Sequence, residues 1–263
     1  MNRRFSHVLI LSDFDGTFAG KGTVSVERNL RAIEAFKKEG GRFTFATGRL
    51  PSMMKRVFPP FPTVVNAPLV MCNGAILYDS KTDTNLKEAF FADSEQARKD
   101  VRDVLSHFPS LTFACYTDEG LLMEGYTPEN VPGKNFRKIN LISRENPALI
   151  EECCRYVTDT YFDRYRIFRS APMFAEIVDK SVSKGNAVKD LRAYYEREEG
   201  QRDLIVCGIG DYENDIELLE RVDLAFCPAN ALDSVKKVAH RTLCDHNEGA
   251  IADLIDYLEA HVL

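Results

Sequence analysis

Val8–Leu11 is a four-residue run without a polar position, and it ends on two acids one residue apart, in the stretch VLILSDFDGTFAG at 8–20. A strand that is apolar at every residue is buried on both faces, as in a parallel sheet covered by helices on each side. Two carboxylates at the partly desolvated end of such a strand repel one another, and burial disfavours the charge on each. The chain therefore needs a positive charge at that strand end.

The rest of the chain repeats the strand and alternates it with helices. Residues 25–39 (SVERNLRAIEAFKKE) form an amphipathic helix, with Ser25 or Thr23 able to cap its start and Gly40-Gly41 to end it. RFTFAT (42–47) is a second strand, Pro51–Phe58 a short helix, and PLVMCNGAILYD a further strand with a turn at Asn73-Gly74. This β-α-β-α-β order predicts a doubly wound, Rossmann-like α/β core. The rhythm then changes. A helix over 93–108 carries Ala97, Val101, Val104, Leu105 and Phe108 on one stripe; strands near 111–116 and 120–126 follow. Residues 127–140, with Pro128, Pro132 and Gly133, read as loop, before a helix at 146–160 and strands near 165–169 and 173–178. The order helix, strand, strand, twice over, predicts an inserted α+β domain. After Lys184 the first rhythm returns: a helix over 184–198, the buried strand DLIVCGIG, a helix from about Glu213, LAFCPANA, and helices at 231–239 and 250–260. The expected division is a core at 1–82 and 182–263 with an insert at 83–181.

Of the 263 residues, 44% are apolar and 28% charged, and the net charge is −6. With no long Lys/Arg run, this balance argues against nucleic acid or an anionic membrane as partner. Residues 1–11 hold too short an apolar run for a secretory signal, and no stretch approaches a membrane span. The seven cysteines are scattered without metal-type spacing, so reduced thiols in a cytoplasmic protein are expected, with a zinc site the sharper and less favoured alternative.

A second acidic cluster follows another core strand, in GIGDYENDIELL. A helix starting at Asp211 would put Asp211, Asn214 and Asp215 on one face. The C-terminal ends of parallel strands lie side by side, so four carboxylates from Asp13, Asp15, Asp211 and Asp215 would meet at one rim. A hard divalent cation resolves that repulsion, and an all-oxygen donor set favours Mg²⁺. ATGR brings the Thr47 hydroxyl and Gly48 amide to the same rim. SVSKGNAV places Lys184 at a helix start, where ammonium and free amides favour an anion. Together these groups suit a phosphate monoester.

DFDGT, TGR, SKGNAV and GDYENDIELL, in this order and with an insert between the second and third, resemble the haloacid dehalogenase superfamily. More narrowly they resemble its Cof-type sugar-phosphatase branch, as do CPANALDSVKKVAH and NEGAIADLI. The resemblance covers the core; the insert, a cap domain in that branch, matches in placement and element order only. It implies that Asp13 attacks phosphorus and forms an aspartyl-phosphate, a carboxylate needing no base at neutral pH. Asp15 would protonate the leaving alkoxide and then take the proton of the hydrolytic water, starting protonated because Asp13 raises its pKa. Mg²⁺ would be held by Asp13, the Asp15 backbone carbonyl and Asp211, with Asp215 acting through water or an outer contact. Thr47, Gly48, Lys184, Asn214 and the Phe14 amide would hold the phosphoryl oxygens. Arg49 would reach the phosphate or brace its loop, and the cap would close over the substrate.

Each motif also has a plainer reading. DFDG can be a solvated turn, Asp211 an N-cap, Asp215 a first-turn acid, Thr47-Gly48 a strand-to-loop turn and Lys184 a surface lysine. Asn73-Gly74 reads as a turn rather than a ligand. The five histidines lie far from the motifs in sequence, and GIG at 208–210 fits neither a P-loop nor a dinucleotide site. The expected function is Mg²⁺-dependent hydrolysis of small phosphorylated metabolites, with sugar phosphates implied by the resemblance. A phosphoryl transferase such as a sugar-phosphate mutase, or a non-catalytic binding protein on the same fold, is the alternative.

Overall fold

The computed structural model describes residues 4–20, 23–122, 125–132 and 134–261. The Thr23 side chain, residues 123 and 124 of the expected strand at 120–126, and Gly133 lie outside them. In chain order the elements begin with β1 (Val8–Ser12), α1 (Thr23–Lys38), β2 (Arg42–Phe45), α2 (Pro51–Val57), α3 (Phe61–Val64), β3 (Leu69–Met71), β4 (Ile76–Asp79) and β5 (Thr84–Glu88). The middle of the chain holds α4 (Ser94–His107), β6 (Thr112–Thr117), β7 (Gly120–Leu122), β8 (Phe136–Ile142), α5 (Ala148–Tyr161), β9 (Tyr165–Ala171) and β10 (Phe174–Asp179). The last part is α6 (Lys184–Glu199), β11 (Ile205–Ile209), α7 (Ile216–Leu219), β12 (Leu224–Cys227), α8 (Asp233–Lys236), β13 (Arg241–Thr242) and α9 (Ala250–His261). The chain divides into two units, Met1–Lys87 with Ser183–Leu263, and Glu88–Val182.

The first unit is the doubly wound α/β fold read from the sequence. Its main sheet is parallel throughout, in the order β13-β12-β11-β1-β2, and a parallel bridge from Ala46 to Val70 carries it toward β3. All five residues of β1 are buried, as a doubly covered strand requires. Leu9 and Leu11 pack with Ala187, Val188 and Leu191 of α6. Phe43 and Phe45 alternate onto the other face, where they meet Phe14, Phe18 and Phe58 with ring centroids 5.0–6.4 Å apart. Such pairs add about 0.5–1.5 kcal/mol each beyond their area burial. Strand order reverses between β1 and β11, and ligands of open α/β sheets bind at that switch point, beyond the carboxyl ends of the strands.

The second unit is α+β, with an antiparallel sheet ordered β7-β6-β8-β10-β9. Ala97, Val101 and Val104 of α4 and Ile150, Cys153 and Val157 of α5 pack on it. It differs from the expected order in one respect: residues 136–140, read as loop, belong to the buried central strand β8. Arg137 and Lys138 make that stretch look solvated, but each is buried against an acid, Glu88 at 3.1 Å and Glu176 at 3.1 Å. The exposed β5 and the two-residue β13 also had no apolar pattern to mark them. Ser25 lies inside α1 rather than at its cap, its buried hydroxyl without a hydrogen-bond partner among the described residues.

Close approach of α6 and α7 depends on Gly185, where an added Cβ would lie 2.4 Å from the Glu217 carbonyl oxygen. Gly185→Ala gains up to about 1 kcal/mol in helix propensity but forces backbone apart, a strain of about 1–3 kcal/mol. A lowered urea midpoint is expected; an unchanged or raised one would show that the two helices are not held in register there.

Candidate active site

The chain leaves β1 at Ser12 and turns at once. The Asp13 amide donates to the Ile209 carbonyl at 2.9 Å, and the Ala19 amide returns to the Phe14 carbonyl at 2.8 Å. Phe14 anchors this turn, its buried ring packed on Phe18, Phe45 and Phe58. Gly16 adopts φ +79°, and a Cβ there would sit 2.5 Å from an Asp211 carboxylate oxygen, so the turn passes where only glycine fits.

Three acids converge at this strand end. Oxygens of Asp13, Asp211 and Asp215 lie within 4.8 Å of one another. The Lys184 ammonium, fully buried at the first position of α6, donates to Asp13 Oδ1 and to Asp215 Oδ1, each at 2.6 Å. Asp215 Oδ2 accepts from the Asp211 and Tyr212 amides at 3.1 and 3.2 Å, and the Thr17 hydroxyl donates to Asp211 Oδ1 at 2.7 Å. The helical turn begins at Glu213, near the expected start, so Asp211 precedes it and shares no helix face with Asp215, which reaches back over the loop instead. The acids are brought together by that backward cap, not by a shared helix face.

The electrostatics follow from burial. Desolvation pushes the Asp13 carboxyl well above the carboxylate range; Lys184 pulls it back in part, while Asp215, Asp211 and Asp15 add to the rise. Burial and Asp215 raise Asp211 to about 7 against the hydrogen bond from Thr17. Burial alone would lower the Lys184 pKa, but Asp13 and Asp215 outweigh it and hold the ammonium above the usual lysine range. One cation therefore does not satisfy the cluster, and the donors left over are all hard oxygens.

The fourth carboxylate is elsewhere. Asp15 pairs with Arg49, whose Nε and Nη2 donate to its two oxygens at 2.7 and 2.6 Å, and its side chain is 56% exposed. The expected meeting of four side-chain carboxylates is thus a meeting of three, because a bidentate guanidinium takes the fourth. Thr47 is buried and its backbone binds β3, its amide donating to the Val70 carbonyl at 2.8 Å; Gly48 is half-buried beside it. Asn214 donates to the Asn73 side-chain oxygen at 3.3 Å. Thr17 and Asn230 had been given no role. Thr17 orients Asp211, and Asn230 donates to the Gly16 carbonyl at 2.8 Å. Thr17 stands within the DFDGT motif; Asn230 lies in CPANA, where only the resemblance drew notice.

Known proteins resemble the chain over nearly its whole length. The pattern of the haloacid dehalogenase-like hydrolase family matches residues 10–138 and 125–255. YxeH of Bacillus subtilis is 26% identical, over 95% of this chain and 97% of its own. The Bacillus subtilis 5-amino-6-(5-phospho-D-ribitylamino)uracil phosphatase YitU is 23% identical, over 93% and 94%. Among solved structures, SMU.1108c from Streptococcus mutans superposes with a TM-score of 0.79 at 21% identity, covering 96% of this chain and 98% of that one. The subclass IIB sugar phosphatase BT4131 gives 0.77 at 15%, covering 95% and 98%. With nearly its whole length matched, the chain belongs to the haloacid dehalogenase-like hydrolases.

Proposed function

We propose that the chain is a Mg²⁺-dependent phosphatase of small phosphorylated metabolites, sugar phosphates in particular, acting through an aspartyl-phosphate on Asp13. The observation that carries the reading is the buried group of Asp13, Asp211 and Asp215 around the Lys184 ammonium. The likeness to a sugar phosphatase and to a ribitylamino-uracil phosphatase supports the substrate class.

The donor set fits Mg²⁺: three carboxylates, no nitrogen or sulfur among them, and two carboxyl groups pushed up by burial and by the neighbouring acids. Asp13, Asp211 and Asp215, with the Asp15 carbonyl, would hold it. Bound there, the ion supplies the positive charge that keeps Asp13 ionised and offsets charge on the phosphoryl oxygens. Asp13 then forms a bond to phosphorus as the ester oxygen leaves. Asp15 gives that oxygen a proton and later accepts one from the water that attacks phosphorus, releasing phosphate and Asp13. Lys184, Thr47, Asn214 and the Phe14 and Gly48 amides hold the phosphoryl oxygens. Arg49 occupies both Asp15 oxygens, so the pair must part before Asp15 exchanges a proton. The Asp15 side chain is 56% exposed, and a phosphoryl dianion is a competing partner for the guanidinium.

Asp13→Asn keeps the shape and removes the nucleophile. Phosphate release from an aryl phosphate, and from the best of a panel of phosphorylated sugars, should fall by roughly 10⁴-fold or more. Activity within tenfold of the parent chain would end the reading. A second test uses Asp211, whose folded value is about 7 against 3.8 for the free group. A raised acid means that the folded metal-free chain binds more protons than the unfolded one, so this contribution to stability falls as pH rises between those values. Mg²⁺ competes with that proton. Its gain in melting temperature should therefore be larger near about pH 8 than near about pH 5; an equal or reversed gain would contradict Mg²⁺ binding at these acids.

A further inference from the structure

We infer that Asn73 is a positioning residue, which acts through Asn214 and sets the amide that meets a phosphoryl oxygen. The inference rests on the phosphatase reading and deepens it. The sequence marks Asn73-Gly74 as a turn, but the turn is of an uncommon kind. Cys72, Asn73 and Gly74 take φ values of +51°, +57° and +98° in succession, the first of them a residue with no affinity for that region. A two-residue hairpin between the antiparallel β3 and β4 calls for positive φ at no more than two positions.

What the run achieves is contact with three of the four motif stretches. The Cys72 amide donates to the Arg49 carbonyl at 3.0 Å and the Asn73 amide to the Thr47 carbonyl at 2.9 Å, which braces the Thr47–Arg49 backbone. Gly74 lies against the start of α6, where a Cβ would meet the Ser183 carbonyl oxygen at 2.3 Å. The Asn73 side chain, fully buried, accepts from Asn214 Nδ2 at 3.3 Å. An acceptor at that point fixes which way the Asn214 amide faces. One N–H is committed to Asn73 and the other is left for an anion. A solvated turn would leave the side chain in water, whereas this one is spent on holding a second asparagine.

Asn73→Gly is the test, because glycine accepts a positive φ freely and only the side chain is lost. The readouts are kcat/KM for an aryl phosphate, the inhibition constant of inorganic phosphate, and the melting temperature. We expect kcat/KM to fall roughly 10-fold and the phosphate constant to rise by a similar factor, with a melting temperature lowered by a few degrees because a buried side chain is deleted. Against an Asn214→Ala background the same change should cost less than about 2-fold, since its target is gone. Parental kcat/KM and phosphate inhibition in Asn73→Gly would overturn the inference, as would a full 10-fold effect persisting without Asn214. So would an Asn214→Ala chain that binds phosphate as the parent does, a measurement independent of how Asn73→Gly folds. Failure of the parent chain to release phosphate at all would overturn the phosphatase reading and this inference with it.

Discussion

The Lys184 ammonium between Asp13 and Asp215 is the interaction on which the rest depends. A fully buried lysine is tolerable only when paired, and here it has two partners as buried as itself. Removing it would leave two carboxylates without compensation, the costly way to break a buried pair. Even with it the charges do not balance: the three acids and one ammonium, all ionised, carry −3 + 1 = −2. That remainder equals the charge of one divalent cation. The cluster is thus held together by one ammonium and leaves the charge deficit on which the proposed Mg²⁺ site rests.

Topology explains how residues so far apart in sequence meet. β1 and β11 are neighbours and parallel, so Asp13 and the loop holding Asp211 leave the sheet at the same edge. Their adjacency is the switch point of the sheet, with β2 wound to one side and β12 to the other. Lys184 arrives by a different route. The inserted unit ends at Val182, and the chain re-enters the first unit at Ser183. The Ser183 side chain caps α6 by accepting from the Asn186 amide at 3.0 Å. The helix therefore starts on Lys184 itself, and a 16-residue helix packed through Leu191 and Tyr195 gives the lysine a fixed origin. A large insert is tolerated because the capped helix start is defined locally.

How much of this could be read from the residues varied with what each stretch had to hide. Strands β1, β2 and β11 are legible because apolar residues dominate them, with Ser12, Arg42 and Thr44 their only polar positions. The α4 and α5 stripes are legible because helical periodicity survives any partner. The central strand β8 was not, since FRKINLI buries Arg137, Lys138 and Asn140, and charge in sequence reads as solvent until a partner acid is placed beside it. At the site, residue types announced the chemistry, but side-chain direction did not follow. Asp15 has the spacing of a metal-site acid, yet a bidentate arginine turns it elsewhere. Asn73 has the spacing of a turn and is also a buried acceptor. In each case the deciding fact is a long-range partner, which local pattern does not encode.

The two cations of the site are held in ways that suit the proposed chemistry. Lys184 is bound on two sides with no exposed surface, so shifting it would uncover two buried charges. Arg49 and Asp15 are 25% and 56% exposed, so water can replace either partner at small cost. A nucleophile that must meet phosphorus in line gains from the first arrangement, since misplacement by an ångström is costly in rate. A group that must deliver a proton, withdraw it from water and clear the path between gains from the second. The same acid type, two residues apart, is held stiffly in one position and loosely in the other. The difference comes from burial of the pair, Asp13 and Lys184 being 8% and 0% exposed, and not from the chemistry of the two carboxyl groups.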